Sequence, residues 1–142
     1  LETLKRYLLI ESVRFSNKFV YRFEVDESLN LEHIKIPPTT IQPFAENAIW
    51  HGLMHRKSGG ELTIRIQKRK KNIILISIDD NGVGREKSAE LNRKSETHKS
   101  QGVNITISRL KHFHPENTIE IEDKFDQDGK PAGTTVHLFL NI

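Results

Sequence analysis

The sequence predicts an α+β domain with two layers, a mixed sheet with helices on one face. Five segments carry strand patterns and three carry helical spacing. They follow one another as helix, strand, helix, strand, strand, polar segment, helix, strand, strand. This order lacks the regular strand–helix alternation of a doubly wound parallel sheet. It therefore favours one layer of helices over one sheet.

The first third of the chain predicts a helix, a strand and a second helix. Residues 1–14 repeat leucines at helical spacing, and residues 18–27 alternate aromatic and polar side chains as a half-buried strand does. A connector ends at Pro37 and Pro38, after which Thr39 or Thr40 is the expected cap of the second helix. The predicted core stripe of that helix is Ile41, Phe44, Ala45 and Ala48.

The rest of the chain predicts two hairpins separated by a polar segment and a helix. Residues 59–80 form the first hairpin, and its second strand is almost continuously apolar, as expected of a central strand. Residues 85–101 contain almost nothing apolar, which is typical of a lid or a disordered loop. Residues 103–113 resume helical spacing, and residues 118–141 form the last hairpin.

Composition excludes several classes of function. A chain of 142 residues forms one domain, and its lack of cysteine excludes disulfides, zinc–thiolate sites and thiol catalysis. It has neither a secretory signal pattern nor an apolar stretch of the roughly 18 residues that cross a bilayer. Much of its net charge of +3 lies at 65–71, in "RIQKRKK". That run predicts a solvated turn or, alternatively, a nucleic-acid contact, although it lacks aromatic residues for stacking.

Polar side chains interrupt the second helix, in "QPFAENAIWHGL". At 100° per residue, Asn47 and His51 share one flank and Glu46 projects beside them. Side-chain oxygens placed this way suit a hydrated Mg²⁺ that is bound through one or two protein ligands plus substrate phosphates. The alternative is that these side chains only face solvent.

Two glycine-containing segments add to this pattern. "DDNGVG" (79–84) ends a strand in two carboxylates, and its glycines allow a sharp turn and the close approach of a ligand. An aspartate there could accept a hydrogen bond from an exocyclic amine, unless the segment is an ordinary hairpin turn. "SQGVNITISRL" (100–110) places a glycine before a helix start, where free N–H groups attract anions.

The order of these motifs resembles the ATP-binding catalytic domain of sensor histidine kinases, and most closely the LytS-like branch. These kinases belong to a superfamily that also contains gyrase B, Hsp90 and MutL. "IPPTTIQPFAENAIWHG" is similar to the N box of the branch, and "DDNGVG" is similar to its G1 box. "SQGVNITISRL" is similar to a G2 region, and "AGTTVHLFL" to the closing strand. "LLIESVRFSNKFVYRFEVDESL" resembles the linker of the branch. The resemblance implies a Bergerat-type fold with a polar ATP lid.

The resemblance also implies site residues, with ATP and Mg²⁺ as the bound groups. Asn47 would ligate Mg²⁺, Glu46 would orient or deprotonate the attacking imidazole, and His51 would line the phosphate end. Asp80 would accept from the adenine amine. The remaining implied contacts are Gly82 and Gly84 at the adenine floor, Gly102 as the hinge of the lid, and Thr134 near the adenine.

Two residues depart from the family pattern. Trp50 stands where relatives have a lysine that neutralises phosphate, and Arg56, Lys57 or Lys99 could replace that charge. The G2 region has Gly102 alone, with Asn104 in the position of a second glycine. None of the seven histidines lies in the Pro-His-Phe context of the branch's phosphoacceptor. A degenerate interaction module, or a nucleotide-dependent switch of the same fold, therefore remains an alternative.

The resemblance further implies the setting of the domain. Residues 1–17 are expected to end a dimerisation or linker helix, and residues 18–142 to form the catalytic domain. The expected partners are ATP, a response-regulator receiver domain and a second copy joined through upstream helices, without direct nucleic-acid contact. The domain is expected in the cytoplasm of a bacterium, and the parent protein in the inner membrane.

Overall fold

The structure, a computed structural model, describes residues 1–92 and 101–142. The helices and strands follow one another in the predicted order, with one further helix in the polar segment. The elements are α1 (Glu2–Arg14), β1 (Phe19–Val25), α2 (Gln42–Asn47), β2 (Gly60–Lys70), β3 (Ile73–Asp80), α3 (Arg85–Asn92), α4 (Gln101–Phe113), β4 (Thr118–Phe125) and β5 (Pro131–Asn141).

The five strands form one sheet in the order β1-β2-β3-β5-β4. β1 pairs with β2 in parallel, and the other neighbouring strands pair antiparallel. The parallel pair needs a crossover connection, and α2 lies within it. The predicted mixed sheet is thus confirmed, and β3, the almost continuously apolar strand, is its central strand.

The hydrophobic core lies between the helices and one face of the sheet. Alternate residues of β2, β3 and β5 point into it and meet the apolar sides of α1, α2 and α4. The predicted stripe of α2 is buried along its whole length. The main members of the core are Leu4, Leu8, Phe44, Ala45, Ile49, Leu62, Ile64, Ile74, Ile76, Ile78, Leu110, Leu138 and Leu140.

The opposite face of the sheet is polar and centres on Asp79. Arg65 bridges Glu24 on β1 (2.7 Å) and Asp79 on β3 (3.4 Å). Lys124 and Thr135 donate to the other oxygen of Asp79. Burial alone would raise the pKa of Asp79, but these hydrogen bonds and the charges of Lys124 and Arg65 keep it below its ordinary value. This cross-strand network explains how the face stays folded without a covering helix.

The start of α2 differs from the prediction. Neither threonine caps the helix, because its N-cap is Ile41, which makes no side-chain cap hydrogen bond. Thr40 instead donates to the carbonyl of Pro37, and Thr39 has a left-handed backbone with φ 59°. The double proline bends the chain here, and the threonine hydroxyls bond to that bend. Pro43 lies in the first turn, where its missing N–H costs little.

The polar segment also differs from the prediction. Its first part is helical, as α3, and Ser88 of that helix is buried. α4 begins at Gln101, so Gly102 lies inside its first turn. Of the apolar residues that gave 103–113 its helical spacing, Leu110 is buried, but Ile105 and Phe113 are each 52% exposed. The part of the expected lid at 93–100 lies outside the described residues.

The basic run forms the exposed end of the first hairpin. β2 extends to Lys70 with a bulge after Lys68, and Lys68 to Lys71 are all exposed. The turn is thus solvated, as predicted. No helix in the described ranges is long and apolar enough to cross a membrane.

Asp79→Asn should destabilise the fold by about 1–3 kcal/mol at pH 7, because it removes the charge that Lys124 and Arg65 face. The wild type should lose the same contribution as the pH falls below 3.8, the ordinary pKa of aspartate, because the folded carboxyl has the lower pKa. Urea unfolding monitored by circular dichroism measures both effects. Glu120→Gln, on the same face of β4, is the control, and an equal loss in both variants would contradict the assignment.

Candidate functional site: the junction of two glycine turns

The candidate site forms where the continuation of α2 meets the turn after β3. The helix continues as a π-helical turn over Ala48–Gly52 and a 3₁₀ turn over Leu53–His55, so the helical path extends beyond Gly52. The N–H of Val83 donates to the carbonyl of Gly52 at 3.3 Å. A Cβ on Gly82 would lie 2.4 Å from the Cα of Gly52. The two segments therefore meet backbone to backbone, and neither glycine leaves room for a side chain.

Asp80 lies at this junction with its side chain on the helix face of the sheet. It is 5% exposed, and its Oδ1 accepts from the N–H of Gly82 at 2.8 Å. Burial raises the pKa of Asp80 to about 6, although hydrogen bonds from the backbone of Gly82 and Thr134 oppose the shift. A Cβ on Gly52 would lie 2.9 Å from the same Oδ1. The two consecutive aspartates thus have separate roles, because Asp79 stabilises the opposite face.

The start of β5 closes the junction from the other side. Thr134 pairs with Asp80 in the sheet register. Gly133 has φ +125°, and a Cβ there would lie 2.1 Å from the carbonyl oxygen of Asp80. Gly84 has φ +79°, and a Cβ there would lie 2.8 Å from Pro131. The structure therefore brings Asp80, Gly82, Gly84 and Thr134 together, as the motifs predicted.

Two residues hold the turn after β3: Asn81, which the sequence did not single out, and Arg56, which it offered only as a replacement charge. Asn81 accepts from the N–H of Glu61 at 2.8 Å and donates to the carbonyl of Gly59 at 3.1 Å. Arg56 donates to the carbonyl of Asn81 at 2.7 Å. Arg56 is therefore committed to the backbone of the turn, which argues against it as the replacement for a phosphate-facing lysine. The only signal in the sequence for the role of Asn81 is its position in "DDNGVG", between the two aspartates and a glycine.

Glu46, Asn47 and His51 lie half-buried along one helical path that leads to the junction. Glu46 accepts from the side chain of Gln42 at 2.9 Å. Asn47 is the last residue of α2, and His51 belongs to the π-helical turn. The α-helical angle that placed Asn47 and His51 on one flank therefore does not hold across this turn. The sequence could not reveal the extra residue per turn.

Gly102 lies away from the junction, beside the start of α2. A Cβ there would lie 3.7 Å from Pro43, which is ordinary van der Waals distance. Thr106 donates to the carbonyl of Gly102 at 2.8 Å, within α4. Lys57 is exposed, and Lys99 lies outside the described residues.

Trp50 packs against the end of α1. Its ring meets Phe15 edge to face at 5.2 Å, and the guanidinium of Arg14 lies 5.1 Å from its centre. The residue that departs from the family pattern thus has a structural contact of its own.

Sequence comparison relates the chain to bacterial sensor proteins. No family model matches the chain. The uncharacterised protein YwpD of Bacillus subtilis strain 168 is 35% identical over 144 residues, which include all of this chain and 48% of that protein. The sensor protein LytS of Oceanobacillus iheyensis is 43% identical over 84 residues, which are 59% of this chain and 14% of LytS. The resemblance to LytS-like sensor histidine kinases is confirmed. The chain spans half or less of the length of these relatives.

Solved histidine kinase structures share the fold. The catalytic domain of histidine kinase ThkA superposes with a TM-score of 0.65 at 18% identity, over 99% of this chain and 90% of that domain. ThkA in complex with the response regulator TrrA matches with a TM-score of 0.55 at 19% identity, over 99% of this chain and 40% of the ThkA chain. The fold predicted for a LytS-like catalytic domain is thereby confirmed.

Asp80→Asn should remove a pH dependence of stability between about pH 4 and 6. The folded carboxyl titrates at about 6 and the unfolded one near 3.8, so the folded state binds the proton more tightly. Wild-type stability should therefore fall as the pH rises through this window, and the variant should not show that fall. Urea unfolding from pH 4 to 7.5 measures it. A slope that the variant retains would show that another group titrates.

Proposed function

We propose that this chain is the ATP-binding catalytic domain of a two-component sensor histidine kinase. Residues 18–142 form the domain in this proposal, and residues 1–17 end the helix that joins it to the dimerisation helices of the parent protein. The observation that carries the proposal is the buried Asp80 carboxylate at a junction where Gly52 and Gly82 leave no side chain in the way. An acceptor held this way can read an exocyclic amine, while the adjacent backbone forms a floor for a planar ring.

The adenine end of ATP would lie at this junction. Asp80 would accept from the amine, because the hydrogen bond from Gly82 fixes the orientation of its carboxylate. Gly82 and Gly84 would shape the floor, and Thr134, opposite Asp80 in the sheet, would contact the ring edge.

The phosphate end would lie along the path of Glu46, Asn47 and His51. The side-chain oxygen of Asn47 suits Mg²⁺, which keeps several waters and binds through one or two protein oxygens plus phosphates. Within residues 1–92 and 101–142 no three histidine, aspartate or glutamate side chains cluster as metal ligands, so the triphosphate would complete the coordination. When bound, Mg²⁺ neutralises charge on the transferred phosphoryl group. His51 would line this end, and Gly102 would be the hinge of the lid, whose residues 93–100 lie outside the described ranges.

Glu46 would act on the attacking imidazole. Its carboxylate is half-buried and held by Gln42, so it can orient the ring and take up its proton. The γ-phosphoryl group would leave ADP and join a ring nitrogen of a histidine that is not among the seven of this chain. It would then pass to an aspartate of a response regulator, and the ThkA–TrrA complex supports this class of partner. The parent protein would be a homodimer in the inner membrane of a bacterium, with this domain in the cytoplasm.

A degenerate, nucleotide-free interaction module is the second candidate. Trp50, which carries no positive charge, and Gly102 as the single glycine of its segment favour it. Calorimetry with Mg-ATP separates the two candidates. Binding at micromolar to submillimolar nucleotide supports the kinase domain, whereas no binding at millimolar nucleotide would favour the module.

Asp80→Asn should weaken adenosine binding at least tenfold at pH 7.5, because the amide presents its own N–H groups to the adenine amine. Adenosine is the ligand because it lacks phosphates that titrate in this range. Its wild-type affinity should also fall as the pH is lowered through about 6, where Asp80 becomes neutral. Asp79→Asn is the matched control, since its side chain points to the opposite face, and should change the affinity less than twofold. Equal effects of the two substitutions would contradict the role of Asp80.

Asn47→Ala should abolish phosphoryl transfer while leaving adenosine binding unchanged, because it removes a Mg²⁺ ligand and no adenine contact. The assay follows labelled phosphate from ATP to a supplied helical peptide that carries the Pro-His-Phe histidine of the LytS-like branch. Asn72→Ala, at the exposed hairpin turn, is the control. Transfer that survives in the Asn47 variant would remove that residue from the metal site.

A further inference from the structure

Trp50 joins two parts of the molecule that are distant in sequence. It lies on the π-helical turn that ends at Gly52, two residues before the backbone contact with Gly82. Its ring meets Phe15 at 5.2 Å and an interplanar angle of 82°. The guanidinium of Arg14 lies 5.1 Å from the ring centre, within the range of a cation–π interaction. The end of α1 thus contacts the segment that forms the candidate adenine floor.

The partners of Trp50 are themselves held firmly. Phe15 donates its N–H to Glu11, and Asn17 donates to Ser12. Ser16 and Asn17 both have left-handed backbones, with φ of 53° and 55°. Non-glycine residues rarely adopt this conformation, and two in succession persist only where the surrounding structure fixes them. The chain then enters β1 at the buried Phe19, so Phe15 is a fixed support for Trp50.

A second set of contacts joins α1 to the same helix. Leu4 and Leu8 anchor α1 in the core. Burial raises the pKa of Tyr7 to about 12, helped by the charges of Glu11 and Glu46, and opposed by a hydrogen bond with the side chain of Trp50. Tyr7 therefore lies near Glu46 as well as Trp50.

We propose that Trp50 is a positioning residue, which with Phe15 and Arg14 clamps the turn Ala48–Gly52 to α1 and so fixes Gly52 against Gly82 and Asp80. This inference rests on the proposed function where it concerns nucleotide binding. At the position where the resemblance implies a lysine, this chain has an aromatic ring that contacts Phe15 and Arg14. A lysine there would lose the contact with Phe15 and would place a positive charge beside Arg14.

Three variants test the clamp. Trp50→Ala removes it, Trp50→Phe keeps an aromatic edge for Phe15, and Tyr21→Ala removes a comparable edge-to-face pair on β1, with Phe23 at 6.2 Å and 81°. The first readout needs no nucleotide. Amide exchange of Val83, whose N–H bonds to Gly52, should accelerate at least tenfold in Trp50→Ala and remain within threefold of wild type in the other two. Equal acceleration in Trp50→Ala and Tyr21→Ala would overturn the clamp.

The second readout is the affinity for Mg-ATP, measured well below the melting temperature of each variant. Trp50→Ala should bind about tenfold more weakly, whereas Trp50→Phe should recover most of the affinity and Tyr21→Ala should lose none. Wild-type affinity in Trp50→Ala would overturn the positioning role. A wild type that does not bind ATP would refute the proposed function and leave the exchange result to decide the clamp.

Arg14→Ala covers the case in which Trp50→Ala fails to fold. The side chain of Arg14 is 60% exposed, but it also pairs at 3.5 Å with Glu11, whose side chain is 7% exposed. Glu11→Gln, which removes that ion pair alone, is therefore the control for Arg14→Ala and should leave exchange at Val83 unchanged. Arg14→Ala should accelerate exchange at Val83 and weaken Mg-ATP binding two- to threefold each. No change in either quantity would overturn the clamp.

Discussion

The rest of the site depends on the contact between the backbones of Gly52 and Gly82. Two segments 30 residues apart in sequence approach so closely that a methyl group on either glycine would overlap the other segment or the Asp80 carboxylate. This approach buries Asp80 and holds its carboxylate against the N–H of Gly82. The bracing of the turn by Asn81 and Arg56, the left-handed glycines, and the support of Trp50 by α1 all maintain this one contact. A larger residue at either position would separate the helix from the sheet.

Much of the fold was predictable, because periodicity reports burial directly. The alternation in β1 and β2 and the apolar run of β3 identified strands and the central position of β3, since each pattern follows from which faces touch the core. The resemblance implied that Asp80, Gly82, Gly84 and Thr134 belong to one site, and the structure brings these four residues together at the end of β3. The roles of these residues toward a nucleotide stay predictions.

Other features could not be read from the sequence. The prediction of a threonine cap for α2 was wrong. The hydroxyls of Thr39 and Thr40 can bond either to the first turn of the helix or to the carbonyls of the double proline, and only the folded chain decides between these partners. The π-helical turn inserts a residue without any sequence signature, so the angles of Asn47 and His51 were not predictable. α3 was missed because a polar helix lacks an apolar stripe, although Arg85 holds its first turn to Asp123 through two hydrogen bonds of 2.7 Å. The contacts of Trp50 were not predictable because its partners, Phe15 and Arg14, lie 35 and 36 residues earlier in the chain.

The last two residues of β3 face opposite sides of the sheet, one in the ionic network and the other at the glycine junction. Side-chain direction alternates along a strand. The two aspartates have the same chemistry and differ only in the face of the sheet to which they point. A single-residue insertion or deletion inside β3 would turn each aspartate to the other face and shift it by one position relative to Arg65, Lys124 and Thr134 on the neighbouring strands. The same change at the exposed turn of Lys71 and Asn72 could be absorbed in the loop. Insertions and deletions in this hairpin should therefore be confined to its tip. The number of residues in β3 should be as constrained as the identity of the site residues.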